Sequence, residues 1–323
     1  MSPKLSEIRQ VVADDLSKVD ESLLSHTSGE SDLINELIQH VIKGGKRLRP
    51  LLLLLSARSS GRYNSKIAYD FAAVVELIHV VSLLHDDVID QAKLRRGKES
   101  IYSKWGIKTA VLLGDLLNAK MLEILKYHAD RYVMSIISDT VVAMCKGEIL
   151  HSSKNENFDL SKSDYIEIVT MKTGKLMATS SLIGAYIAHS TNLDLYSKYG
   201  IDLGIAFQIT DDLLDIQGEK ELLGKLTFND LREGNFTYPY IDLREKCNEN
   251  ELAKLKQIMI NSCVDDEIQW LIDLMEKYSV GKSCRSLAKK YADQAKSSLA
   301  PLPDSDAKIA LQKLADYVIS RER

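Results

Sequence analysis

Between Pro50 and Pro239 the chain contains no proline. Proline inside a helix removes a hydrogen bond and clashes with the preceding turn, so a stretch this long without it is free to form long helices. Within it Gly is sparse and apolar residues return every three or four positions, the spacing of helices with one buried side. No Asn-Gly or Asp-Gly pair stands between alternating runs, which argues against hairpins and strands. The spacing predicts helices near 4–25, 30–43, 48–59, 64–91, 107–128, 130–152, 161–189, 194–217, 237–246, 249–260, 265–278, 281–298 and 304–321. The 323 residues read as one all-α domain, 1–323.

Two of these segments, 64–91 and 194–217, are apolar around much of their circumference, as helices at the centre of a bundle are. Both end in acids. The first closes with "LLHDDVID", carrying Asp86, Asp87 and Asp90, and the second with "ITDDLLD", carrying Asp211, Asp212 and Asp215. Residues four apart share a helix face, so Asp86 projects with Asp90 and Asp211 with Asp215, while Asp87 and Asp212 turn about 100° away. If the two helices face each other, carboxylates converge, repel and take up protons unless a cation resolves them. Mg²⁺ suits such a place, binding one or two carboxylates and leaving positions for water and substrate phosphate.

Basic groups stand nearby in sequence. "GGKRLRP" offers Lys46, Arg47 and Arg49 after a glycine pair, "LRRGK" offers Arg95 and Arg96, and "MKTGK" offers Lys172 and Thr173. Twin acid clusters with these cations describe a site for Mg²⁺ and a diphosphate. His79, two helical turns before Asp86, shares its face. The Gly- and charge-rich segment 218–236 reads as a loop over the site.

Other classes are disfavoured. A formal net charge of −4 carries no basic excess for nucleic acid. Cys145, Cys247, Cys263 and Cys284 lie far apart, which suits neither a zinc site nor a disulfide framework and fits a cytoplasmic location. The N-terminus lacks the apolar run of a signal peptide, and the run "FAAVVELIHVVSLLHDD" reads as too short and too interrupted to span a bilayer.

The motifs "GGKRLRP", "LLHDDVID" with "RRG", "WG" then "LLGD", "GE", "KT", "FQITDDLLD" and the "GK…DLREG…TYP" segment, in this order, resemble those of the trans-prenyltransferases, the head-to-tail isoprenyl diphosphate synthases. Within that family the chain is most similar to bacterial long-chain enzymes of the octaprenyl diphosphate synthase type. The resemblance implies an all-helical bundle with a central cavity, usually homodimeric, that joins an allylic diphosphate such as farnesyl diphosphate to isopentenyl diphosphate. By position, Asp86, Asp90 and Asp211 would hold the Mg²⁺ ions, three per site, with Asp87 and Asp215 in support. Arg95, Lys172 and Lys225 would contact the allylic diphosphate; Lys46, Arg49, His79 and Arg96 would hold that of isopentenyl diphosphate; Thr173 and Gln208 would line the reacting carbons.

Three positions depart from the family pattern: Asn235 replaces a usual Lys, His151 a usual Gln and Gly174 a usual Ala. Ser82 and Val81, four and five residues before Asp86, would border the growing chain. Their small size, where short-chain members place an aromatic, implies a long product of the kind used for quinone side chains, released with transient membrane contact. A terpene cyclase would carry an Asn/Ser/Glu motif on the second helix and lack the "GGKRLRP" turn. A non-catalytic partner subunit would tend to lose one acid motif or that turn, and both stand here.

Overall fold

The computed structural model describes residues 3–29, 31–154, 158–217, 228–232, 234–260 and 265–321. In chain order the helices are α1 Leu5–Gln10, α2 Ala13–Thr27, α3 Asp32–Ile42, α4 Leu48–Ser60, α5 Ser65–Ile89, α6 Ile101–Trp105, α7 Ile107–His128, α8 Arg131–Lys154 and α9 Lys162–Val169. A π-helical turn, Thr170–Gly174, joins α9 to α10 Lys175–Ile187, followed by α11 Leu193–Ile216, α12 Asn229–Arg232, α13 Tyr238–Arg244, α14 Glu249–Ile260, α15 Asp265–Lys277, α16 Val280–Ser298 and α17 Asp306–Ser320. The all-α expectation holds. Start signals are local: Asn64 accepts the Lys66 and Ile67 N–H groups at the head of α5, and Ser161 with Asp164 forms a capping box on α9.

Three expectations are corrected. The segment 4–25 is two helices, broken at the β-branched pair Val11 and Val12, where Arg58 donates to the freed Val11 carbonyl at 2.7 Å. A short hairpin exists after all, β1 Leu94–Arg95 with β2 Lys98–Glu99, turning on Arg96 and Gly97 at φ 52° and 76°. Both central residues are left-handed, as a type I′ turn needs, so Arg-Gly does here what Asn-Gly usually does. Finally, α5 has 25 residues and is long and apolar enough to cross a bilayer, but 72% of its apolar window is buried inside the protein, the property of a core helix.

The centre is α10, packed on α4, α5, α8 and α11. The two acid-bearing helices therefore do not pack shaft to shaft; α10 lies between them, and their aspartate ends meet across a cavity. Close approach of α10 and α11 depends on Gly200 and Gly204, one turn apart. A Cβ on Gly204 would fall 2.7 Å from the Gly174 Cα, and one on Gly200 would fall 2.4 Å from the Ala178 Cα. Two apolar cores result, one around α4, α5, α7 and α10, the other around α9, α13, α14 and α15, with α11 and α16 running through both.

Candidate active site

A cavity of about 430 Å³ opens where α5 and α11 end. Its wall gathers Asp86, Asp90 and Asp211 with Arg49, His79, Arg95, Lys172, Thr173 and Gln208, all singled out in the sequence, Gln208 through the resemblance alone. The π turn sets Lys172 and Thr173 on this wall, and such turns concentrate at functional sites.

The acids are electrostatically crowded. Burial pushes the Asp86 carboxyl up to about 7, with Glu148 and Asp90 adding repulsion and Lys172 and Arg95 pulling it back. Burial also raises Asp90 and Asp211. The donor set is all oxygen and short of positive charge, which fits a hard divalent cation. Among the described residues no three His, Cys, Asp or Glu converge tightly enough to chelate an ion unaided.

Opposite the acids is a cationic corner. Arg49 is pushed down to about 10 by burial, and its buried Nε finds no hydrogen-bond partner among the described residues. His79 is driven well down by burial and by Arg49, Arg96, Arg95 and Arg47, so its ring is neutral. Arg96 borders an adjoining cavity of about 230 Å³ with Arg95, Lys98 and the Gly44–Gly45 turn. Both glycines have positive φ, and a Cβ on Gly45 would meet the Arg96 guanidinium at 2.7 Å. Lys46 is exposed, and its charge favours ionised Asp211. A guanidinium whose buried Nε has no partner among the described residues, beside further cations, suits a multiply charged anion.

Some expectations need correction. Arg47 does not face the site: its guanidinium donates to Glu76 at 2.9 Å, Asp20 at 2.8 Å and the Ile42 carbonyl at 2.7 Å, fixing the turn from inside. Asp87, expected among the metal-supporting acids, is buried and accepts from Arg95 at 2.7 Å; the 100° offset turns it from the chamber of Asp86 and Asp90 to the adjoining cavity of Arg95 and Arg96, where it holds Arg95. Asp215 accepts the Asp230 N–H at 3.1 Å and is likewise off the wall. Lys225 lies outside the described residues. Asn235 stands on the wall, in the bend where its N–H donates to the Asp230 carbonyl.

Residues without a recognised role also appear. Glu148 binds Lys172 at 2.5 Å, and His151 accepts from Lys172 at 3.1 Å; burial would raise Glu148, but His151 and Lys172 hold it down at about 2. Only the "GE" pair hinted at Glu148. Arg321, just past α17, is 6% exposed, lies 2.7 Å from Asp211 and stacks on Phe207 with 3.9 Å to the ring centre. No local motif marks it, because its partner is more than a hundred residues away in sequence.

A second, apolar cavity of about 390 Å³ continues from the first, sharing Ser82, Asp86, Glu148 and Lys172. Val81, Ile78, Val141 and Met144 line it, and Cys145, Ile89 and Ile149 stand at its open side. Val81 and Ser82 thus border an apolar groove that begins at Asp86.

The family model described as polyprenyl synthetase matches residues 31–275. The geranylgeranyl diphosphate synthase of Sulfolobus acidocaldarius is 34% identical over 95% of this chain and 97% of its own. Component 2 of the Geobacillus stearothermophilus heptaprenyl diphosphate synthase is 34% identical over 99% of both chains, and the Escherichia coli octaprenyl diphosphate synthase is 29% identical over 99% of both. A Caulobacter crescentus polyprenyl synthase, solved with calcium and isoprenyl diphosphate, superposes with a TM-score of 0.94 at 32% identity, over 100% of this chain and 99% of that one.

Proposed function

The chain belongs to the polyprenyl synthetase family and is a prenyltransferase of the trans-isoprenyl diphosphate synthase type, and on that premise we propose that it elongates an allylic diphosphate with isopentenyl diphosphate to a long polyprenyl diphosphate of the octaprenyl kind. The observation that carries this reading is the junction of the two cavities. An acid-and-cation chamber opens directly into an apolar groove, and Asp86, Ser82 and Lys172 belong to both.

Asp86, Asp90 and Asp211 would hold Mg²⁺, which neutralises the leaving diphosphate when bound. Lys172, oriented by Glu148 and His151, and Arg95, oriented by Asp87, present fixed cations to the same diphosphate. As the allylic C–O bond breaks, its electron pair leaves with pyrophosphate. Arg49, neutral His79, Arg96 and Lys46 hold the second diphosphate so that its double bond lies near the cationic carbon and supplies the electrons of the new C–C bond. The proton then lost from the adjacent carbon passes to the departed pyrophosphate, so no side chain is needed as base. The apolar groove keeps water from the cation.

Val81 and Ser82 leave the head of the groove unobstructed, which supports the long product. Its lining on α5 reaches Ile78, eight residues and ~12 Å along the axis from Asp86. Beyond that its free path is sideways, toward exposed Cys145 and Ile149. Exposed apolar residues continue there along α7 and α8: Ile107, Val111, Leu122, Met134 and Val142. A second copy of the chain covering this face would make the homodimer and close the groove, and the very apolar product would then leave for a lipid phase. A different partner chain is the alternative, favoured by the relative named as component 2 of a synthase.

The test is incubation of the purified protein with Mg²⁺, radiolabelled isopentenyl diphosphate and farnesyl diphosphate, with dephosphorylated products resolved by length. A ladder ending at a long polyprenol, the product that the resemblance to octaprenyl diphosphate synthases implies, supports the proposal. Activity only after addition of a partner chain would favour the two-component reading, and a product stopping at geranylgeranyl would overturn the long-chain assignment.

A further inference from the structure

Along the cavity wall a chain of hydrogen bonds ties Tyr165 to the reacting end of the site. The Tyr165 hydroxyl donates to Asp212 Oδ2 at 2.5 Å, Gln208 Nε2 donates to Asp212 Oδ1 at 2.9 Å, and Thr173 Oγ1 donates to Gln208 Oε1 at 3.1 Å. Asp212 is 2% exposed and, like Tyr165, Gln208 and Thr173, borders the cavity, about 100° around α11 from Asp211. Tyr165 is held on α9, four residues after the Ser161 capping box, with its ring against Tyr238 at 5.7 Å.

The direction of this chain is set by its geometry: Gln208 turns its NH₂ to Asp212, whose other carboxyl oxygen is filled by the Tyr165 O–H. The Gln208 carbonyl then faces Thr173 and accepts the Thr173 hydroxyl proton. With its proton turned away from substrate, the Thr173 oxygen presents lone pairs to the cavity, the orientation that stabilises a developing carbon cation. Without the Tyr165 hydroxyl nothing fixes the carboxyl rotation that aims Asp212 Oδ1 at Gln208; the carboxyl can turn away, the amide can turn over, and the Thr173 O–H can point its positive end inward.

We infer that Tyr165 is a positioning residue, acting through Asp212 and Gln208 to hold the Thr173 oxygen lone pairs toward the carbon that becomes cationic. This rests on the condensation reaction proposed above. Tyr165→Phe keeps the ring packing and removes only the donor.

Two measurements test it. In steady state, Tyr165→Phe should lower kcat about tenfold while KM for both diphosphates stays within about twofold, the pattern of an interaction made mainly in the transition state. In calorimetry with Mg²⁺, the wild type should bind an allylic diphosphate analogue bearing an ammonium at the cationic carbon more tightly than the neutral thio-diphosphate. Tyr165→Phe should lose about tenfold of that preference. Unchanged kcat and an unchanged preference would overturn the inference while leaving the synthase reading intact. Failure of the wild type to bind either analogue would overturn both. Should Tyr165→Phe not fold, Asp212→Asn tests the same chain from its middle, and retention of the full preference there would also overturn the inference.

Discussion

Arg47 and Arg49 stand two residues apart on one turn and do opposite work. Arg47 is locked to Glu76, 7% and 2% exposed, whereas Arg49 keeps an unpartnered buried Nε on the cavity wall. Arg47→Ala should destabilise the fold by about 3–5 kcal/mol in chemical denaturation, because Glu76 is left buried and uncompensated. Arg49→Ala should leave stability within about 1 kcal/mol and raise KM for isopentenyl diphosphate at least tenfold. Spacing revealed which residue types gather, since Asp86, Asp90, Asp211 and Lys172 all reach one cavity, whereas Gln208 was marked only by the resemblance. It could not reveal which of two neighbouring arginines faces inward, because that depends on Glu76 and Asp20 arriving from other helices. Asp202 carries a pH signature of its own. Burial pushes its carboxyl up to about 6, and its Oδ2 finds no partner among the described residues. A raised folded value means its stabilising effect is full below the ordinary carboxyl range and lost as pH rises through about 6. Thermal melts of Asp202→Asn should therefore exceed wild type at pH 8 and match it near pH 4.

At the scale of elements, two glycines that look alike in sequence are not equivalent. A Cβ on Gly174 would sit 3.5 Å from the Ile201 carbonyl, an ordinary contact, whereas one on Gly204 would overlap the Gly174 backbone. Gly174→Ala, restoring the residue expected from the resemblance, should stabilise by about 0.4–1 kcal/mol through the unfolded chain. Gly204→Ala should destabilise by about 1–3 kcal/mol, since α10 and α11 must separate; equal melting temperatures for the two variants would contradict the packing account. Helix existence was legible from the proline-free, three-and-four pattern, and α7 runs over 107–128 as its spacing predicts. The Leu94–Glu99 hairpin was not, because Arg96 accepts a left-handed φ that tertiary contacts with the Gly45 turn support rather than any local preference. The π turn was hidden for a similar reason: Thr170–Gly174 has the composition of a continuous helix.

For the molecule as a whole, what the sequence could not supply was the place of α10. The acid motifs suggested two facing helices, but small residues in α10 and α11 let a third helix fill the middle and hold the acid ends apart across a chamber. That separation leaves room for a diphosphate. The groove that leaves the chamber makes product length a property of packing: Val81→Phe should shorten the product in a chain-length assay, and an unchanged distribution would remove Val81 from the path. Ile149→Glu with Leu122→Glu should shift the protein to monomer in sedimentation if a second copy covers α7 and α8. The central claim is that two distant aspartate motifs act on one diphosphate through a divalent cation. Calorimetric titration with farnesyl thio-diphosphate, with Mg²⁺ and in EDTA, tests it directly on wild type, Asp86→Asn and Asp211→Asn. Tight binding only for wild type with Mg²⁺, weakened at least tenfold by either substitution, is the predicted result. Equal binding in EDTA, or indifference to one of the two motifs, would contradict it.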